Sequence, residues 1–145
     1  MIMIPVKQTK FVFYDDNGIM VQKGNCFAAC IASLMERNIT DVLNVEELYV
    51  LPDWEIILQR WLNEHKWEWR TDMNFNCFHD RLNYATEDDM RNRYYLQDDY
   101  YLISGKTVRN IQHLCIYKAG ILIHDPHPSN QGLTTFEIFE TIKPL

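Results

Sequence analysis

The sequence has 145 residues, of which 47% are hydrophobic and 23% are charged. This composition excludes a disordered chain, and the length predicts one globular domain over residues 1–145 that buries a core of its own. The formal net charge of −6 at pH 7, with no cluster of Lys and Arg, argues against nucleic acid as a partner.

Two features predict a cytoplasmic protein whose four cysteines stay reduced. Residues 1–7 are too short for a secretory signal peptide and are interrupted by Pro5. No apolar run approaches the roughly 20 residues that cross a bilayer, so we expect no membrane as a partner. Disulfides are rare in the cytosol, so the even number of cysteines does not by itself indicate them.

The first half of the chain is predicted to contain a hairpin and two helices. Residues 10–14 and 19–21 alternate like short strands around an Asp-Asp-Asn-Gly turn. A helix begins after Asn25 and runs to about Asn38, and one further turn reaches Val45. A second amphipathic helix begins at Pro52-Asp53. Its apolar face, which we interpret as core rather than as a ligand platform, consists of Trp54, Ile57, Leu58, Trp61 and Leu62.

The second half is predicted to be mainly strands. These cover residues 67–71, 100–103, 113–117, 121–124 and 136–142. Polar residues 106–112 form the connection before the strand 113–117, residues 118–120 form a tight turn, and the loop 125–132 precedes the last strand. Between residues 72 and 99 the periodic signals are few, although Thr86-Glu-Asp-Asp is typical of a helix start. This order of elements predicts an α+β fold in which the first helix packs on an antiparallel sheet.

Cys26 lies in the first turn of the first predicted helix, within Gly24-Asn25-Cys26-Phe27. The unpaired N–H groups and the positive end of the helix dipole favour a thiolate there, and the thiolate is the nucleophilic form of cysteine. We therefore expect a lowered pKa for Cys26. Most free cysteines are small buried hydrophobic residues, so the position alone does not identify a nucleophile.

His113 and Asp125 are the candidate partners of Cys26. His113 opens one strand of the predicted hairpin and Asp125 ends the other, so their side chains are expected within reach of each other. A cysteine nucleophile needs a base, and that base needs a third group that fixes its tautomer. We expect the Cys26 sulfur within roughly 4 Å of one His113 nitrogen and Asp125 on the other.

The same residues resemble a known superfamily. Gly-Asn-Cys-Phe at a helix start, His113 at the start of a strand and a later His-Asp-Pro step are similar to papain-like cysteine peptidases. The nearest group is the C39-like branch, and especially small proteins of bacteriophages and bacteria. The resemblance covers about half of the chain and does not extend to residues 41–99.

The resemblance implies a papain-like fold and a thiol-dependent hydrolase without a cofactor, acting on a protein or peptide substrate. Cys26 would be the nucleophile, His113 the general base and Asp125 the orienting residue. Gln22 and the backbone N–H of Cys26 would stabilise the oxyanion. If a phage encodes the chain, the site of action is the host cytoplasm.

Two other interpretations remain open. The pairs Cys77/His79, His113/Cys115 and His124/His127 supply enough ligands for zinc, but their spacing matches no finger or ribbon, so we expect no metal. Alternatively, the fold is catalytically silent and acts as a binding protein that inhibits a host factor.

Overall fold

The centre of the fold is an antiparallel sheet, seen in a computed structural model that describes residues 3–71, 86–92 and 99–145. Neighbouring strands pair antiparallel throughout this five-stranded sheet. In order across the sheet, its strands are β3 (Trp67–Thr71), β7 (Ile138–Pro144), β4 (Tyr101–Lys106), β5 (Gln112–Lys118) and β6 (Ile121–His124). The predicted α+β class is confirmed.

The strand boundaries differ from the predicted ones by a few residues. Lys106 still belongs to β4 and Gln112 already belongs to β5, so the polar connection is shorter than predicted. The last strand begins at Ile138 rather than at Phe136. The turn between β5 and β6 is as predicted, with Ala119 at φ 53° and Gly120 at φ 76°. Both residues have the positive φ that a tight hairpin turn requires.

A small separate hairpin precedes the first helix. It pairs β1 (Phe13–Tyr14) with β2 (Met20–Gln22), and β1 begins three residues later than predicted. The Asp15 carboxylate closes the turn by accepting the N–H groups of Asn17 and Ile19, each at 2.9 Å. The predicted hairpin is therefore present in a shorter form.

The first long helix, α1 (Cys26–Met35), is buried from Phe27 to Met35. It ends before the predicted residue Asn38 because Glu36 adopts the left-handed conformation, with φ 56°. The small residues Ala28, Ala29 and Ala32 are buried almost completely, which lets the sheet approach closely. The helix packs along β5, as predicted for the first helix and the sheet.

Short helical segments follow, and α3 is the longest of them. They are a 3₁₀ turn (Ile39–Asp41), α2 (Val45–Leu48), α3 (Trp54–Glu64) and, after the gap, α4 (Glu87–Asn92). The helix start expected at Thr86 is confirmed by α4. In the described ranges, the structure has no helix that is long and apolar enough to cross a membrane.

The sheet buries a core on each face, because side chains alternate along its strands. Leu102, Leu114 and Ile116 face α1 and α3. The opposite face holds Cys115 and Phe139 with residues of the loop before β7. Because successive side chains point to opposite faces, the His113 side chain lies on the same face of β5 as Cys115, opposite that of Leu114.

Candidate active site

His113 and Asp125 form a buried hydrogen-bonded pair. The distance from His113 Nε2 to Asp125 Oδ1 is 2.7 Å, and the two residues are 7% and 2% exposed. His113 is the second residue of β5, and Asp125 directly follows β6, the adjacent strand. The hairpin thus brings imidazole and carboxylate together, as the sequence predicts.

The carboxylate of Asp125 is held in its ionised form. Burial raises its pKa, but hydrogen bonds from His113, Gly132 and His127 outweigh that effect and the pKa falls below its usual range. The N–H of Gly132 donates to Oδ2 and that of His127 to Oδ1, each at 2.9 Å. An ionised carboxylate only accepts hydrogen bonds, so the Nε2 of His113 is the donor, and in the neutral imidazole the proton is on Nε2. Its Nδ1 then carries the lone pair that a base needs.

Residues near the N-terminus hold the loop after β6 in place beside the His113–Asp125 pair. The Lys7 ammonium donates to the backbone oxygens of Asp125 and His127, at 2.7 and 3.1 Å. The His127 ring stands edge-on to His113, with 6.3 Å between ring centroids, and edge-on to Phe11 at 5.4 Å. Sequence reasoning missed Lys7, because nothing near residue 7 indicates a partner more than a hundred residues away.

Cys26, which is half-buried, is the first residue of α1, and its sulfur lies beside β5. The backbone N–H of Leu114, the neighbour of His113, is directed at this sulfur. One helical turn later, the Cys30 thiol donates to the backbone oxygen of Leu114 at 3.7 Å. Within the described residues, no hydrogen bond joins the Cys26 sulfur to the His113 ring. The hairpin thus joins His113 to Asp125, but the expected contact between the Cys26 sulfur and a His113 nitrogen is not a hydrogen bond in the described structure.

A carboxylate occupies the N-terminus of α1. Glu46, on α2 and 7% exposed, accepts the N–H of Phe27 at 3.0 Å and that of Ala28 at 3.4 Å. Asn25 does not cap the helix, because its side chain instead binds Thr9 and Lys10. Sequence reasoning missed Glu46, since a cap supplied from another element has no local spacing signal.

The expected low pKa of Cys26 is wrong for this structure. Burial and the negative charge of Glu46 raise the pKa of Cys26 to about 12, despite the backbone N–H groups around the sulfur. The helix N-terminus favours a thiolate only while its N–H groups are available to the sulfur. Here Glu46 takes two of them and adds a like charge.

Cys26 and His113 line the same cleft, whose volume is about 590 Å³. This volume is typical of sites for small molecules or side chains. The interpretation of the α3 face as core is confirmed for buried Leu58 and Leu62, and the half-buried Trp54 packs against the same core. Trp54 also lines the cleft. The aromatic side chains along its wall are Phe27, Tyr49, Trp54 and Trp69.

Gln22 does not join these residues. It ends β2, is exposed, pairs with Phe13 and is not part of the cleft lining. Its assigned role at an oxyanion therefore gains no support, and Glu46 is the side chain at the relevant N–H groups.

Among the described residues of the metal interpretation, His113 and Cys115 lie close together and His124 is not part of their group. Cys77 and His79 lie outside the described residues, and His124 bonds to the backbone oxygen of Val6 at 2.7 Å. In the described part, the ligand atoms of His113, Cys115 and Asp125 lie within 4.8 Å of one another and suit a divalent cation by type. Both Asp125 oxygens already accept hydrogen bonds, however, so a metal would have to displace them.

No protein-family model, curated protein or solved structure matches this chain. The resemblance to papain-like peptidases therefore depends on the residues themselves.

Proposed function

We propose that this protein is a thiol-dependent hydrolase with a papain-like fold that cleaves amide or isopeptide bonds in proteins or peptides. One observation carries the proposal. His113, which is held by Asp125 through Nε2, lines the same cleft as Cys26, and its Nδ1 is left as the basic nitrogen. A nucleophile, a base and a group that orients the base are the three parts that such chemistry needs.

The reaction proceeds in two halves. His113 Nδ1 takes the proton of the Cys26 thiol as the sulfur attacks the carbonyl carbon of the substrate. The C–N bond then breaks, and the leaving amine takes that proton from His113, which leaves an acyl group on the sulfur. Water, deprotonated by His113, hydrolyses the thioester and restores the thiol. Asp125 stays ionised and stabilises the imidazolium in both halves.

The high pKa of Cys26 sets a condition on this mechanism. A thiol with a pKa of about 12 is protonated at neutral pH, so the proton must leave during the attack rather than before it. Contact between the thiol and Nδ1 must therefore form in the substrate complex, where such hydrogen bonds commonly shorten.

Acylation of Cys26 tests the proposal. The full chain is incubated with N-acyl peptide p-nitrophenyl esters that carry varied side chains, and the adduct is located by mass spectrometry. We expect a burst of p-nitrophenol with the acyl group on Cys26, unchanged in Cys30→Ala and absent in Cys26→Ala. Acylation spread over several residues, or unaffected by His113→Ala, would overturn the proposal.

A second candidate is a papain-like fold that binds and inhibits a host factor. The observation that favours it is Glu46, which occupies the helix N-terminus and keeps Cys26 protonated. This interpretation predicts no acyl adduct on Cys26 and full biological effect in Cys26→Ala.

A further inference from the structure

The cleft extends from the candidate triad across the sheet. Its lining includes Leu114 on β5, Glu140 on β7 and Trp69 on β3. The strand β7 lies two positions from β5, which corresponds to about 10 Å at the usual strand spacing. A substrate residue next to the bond that Cys26 attacks can therefore reach β7 with a long side chain.

Aromatic rings form one wall of this extension. The Trp54 ring on α3 lies 5.9 Å from the Trp69 ring and 4.9 Å from the Tyr49 ring, measured between centroids. The two indoles are half-buried and contribute to the cleft surface. Such walls bind the alkyl stem of a long side chain and attract a cationic head group.

The same region holds two carboxylates, Glu55 and Glu140, that no cation of the described residues pairs with. Glu140 Oε2 accepts the indole N–H of Trp69 at 2.8 Å, and Glu55 is close enough to act on its charge. Among the described residues, neither glutamate has an ion-pair partner. The cleft lining there includes one cation, Lys23, which is directed at the backbone oxygen of Glu46 at 3.5 Å.

The raised pKa of Glu140 has burial as its main cause and the charge of Glu55 as a smaller one. Burial raises the pKa of Glu140 to about 7, the Trp69 hydrogen bond opposes the rise, and the charge of Glu55 adds to it. A cation bound beside Glu140 would favour its ionised form. The cleft thus holds a carboxylate whose ionised form a positively charged ligand would stabilise.

We infer that the pocket formed by Trp54, Trp69, Glu55 and Glu140 binds the cationic side chain, lysine or arginine, of a peptide substrate. The inference rests on the proposed hydrolase and names its substrate class. The stem lies along the two indoles and the head group contacts Glu140 and Glu55. Cleavage therefore occurs beside a basic residue.

Binding to the unreactive variant tests this pocket separately from catalysis. Blocked peptides that carry arginine, lysine or citrulline at one position are titrated into the full-length Cys26→Ala protein, by calorimetry and Trp fluorescence. Citrulline keeps the shape of arginine without its charge. We expect arginine and lysine peptides to bind about tenfold more tightly than the citrulline peptide at pH 8. The preference should weaken at pH 6, where Glu140 is protonated.

Glu140→Gln should weaken the preference for charge at pH 8, as protonation of Glu140 does at pH 6. Glu68→Gln is the matched control, because Glu68 lies on β3 but is absent from the cleft lining and is bound to Arg70. If Glu140→Gln unfolds, Glu55→Gln should reduce the same preference. Equal binding of arginine and citrulline peptides would overturn the inference. If binding depends on charge but Cys26 of the wild type is not acylated, the inference about the pocket stands and the proposed hydrolase is rejected.

Discussion

Glu46 accepts the backbone N–H of Phe27 at 3.0 Å, so a buried carboxylate from α2 caps the helix that begins at Cys26. Through this contact Glu46 has both a structural and an electrostatic role. It satisfies the helix terminus that Asn25 leaves unpaired, and it places a negative charge beside the candidate nucleophile.

Glu46→Gln should lower the pKa of Cys26. The amide oxygen still accepts the N–H groups of Phe27 and Ala28, but the negative charge that raises the pKa is removed. Iodoacetamide labelling of Cys26 at pH 8, followed by mass spectrometry, should be faster than in the wild type. Glu47→Gln, an exposed neighbour paired with Lys10, serves as the control and should not change the rate. An unchanged rate in Glu46→Gln would reject the electrostatic role of Glu46.

Asp125→Asn should destabilise the protein by about 1–3 kcal/mol at pH 7, because hydrogen bonds to a charged carboxylate are replaced by weaker ones. The folded pKa of Asp125 is lowered, so its stabilising effect is complete above the unfolded pKa of about 4. The effect is lost as the pH falls from there towards the folded pKa. Urea unfolding should show the difference between wild type and variant shrinking below about pH 4. A difference that grows at acidic pH would contradict this assignment.

Gly105→Ala should destabilise the fold by about 3 kcal/mol, because an added Cβ would lie 1.9 Å from the backbone oxygen of Thr135. Gly105 is the β4 partner of His113, so the close loop covers the strand that carries the base. Gly24→Ala is the control, since its added Cβ would meet atoms no closer than 3.5 Å. Equal loss of stability in both variants, measured by urea unfolding, would show that the loop is not packed on β4 in this way.

Local patterns predicted the elements and the pair that the hairpin creates. The strand period and the Lys118-Ala-Gly120 turn place His113 and Asp125 near adjacent strand ends, where their side chains hydrogen-bond. The irregularity between Ile116 and Tyr117, which sets Ile116 opposite His124, is not predicted by these patterns. The helix after Asn25 follows from its 3.6-residue period and small residues.

What the sequence does not predict depends on contacts between distant elements. Glu46 reaches α1 from a helix of four residues, and the position of α2 is set by packing rather than by a spacing pattern. The same holds for Trp54, whose helical period marks an apolar face but not which part of that face borders a cleft. The expected pKa of Cys26 was wrong because the sequence shows neither the burial of the thiol nor the cap that Glu46 supplies from α2.

Turnover by triad variants tests the central claim most directly. Steady-state hydrolysis of an N-acyl arginyl p-nitrophenyl ester is measured for wild type, Cys26→Ala, His113→Ala, their double variant and Asp125→Asn, with folding checked by circular dichroism. The account predicts background rates for both alanine variants and no further loss in the double variant, because the residues act as one unit. Asp125→Asn should retain part of the rate, since an amide still accepts the His113 hydrogen bond. Wild-type turnover in folded Cys26→Ala would contradict the account.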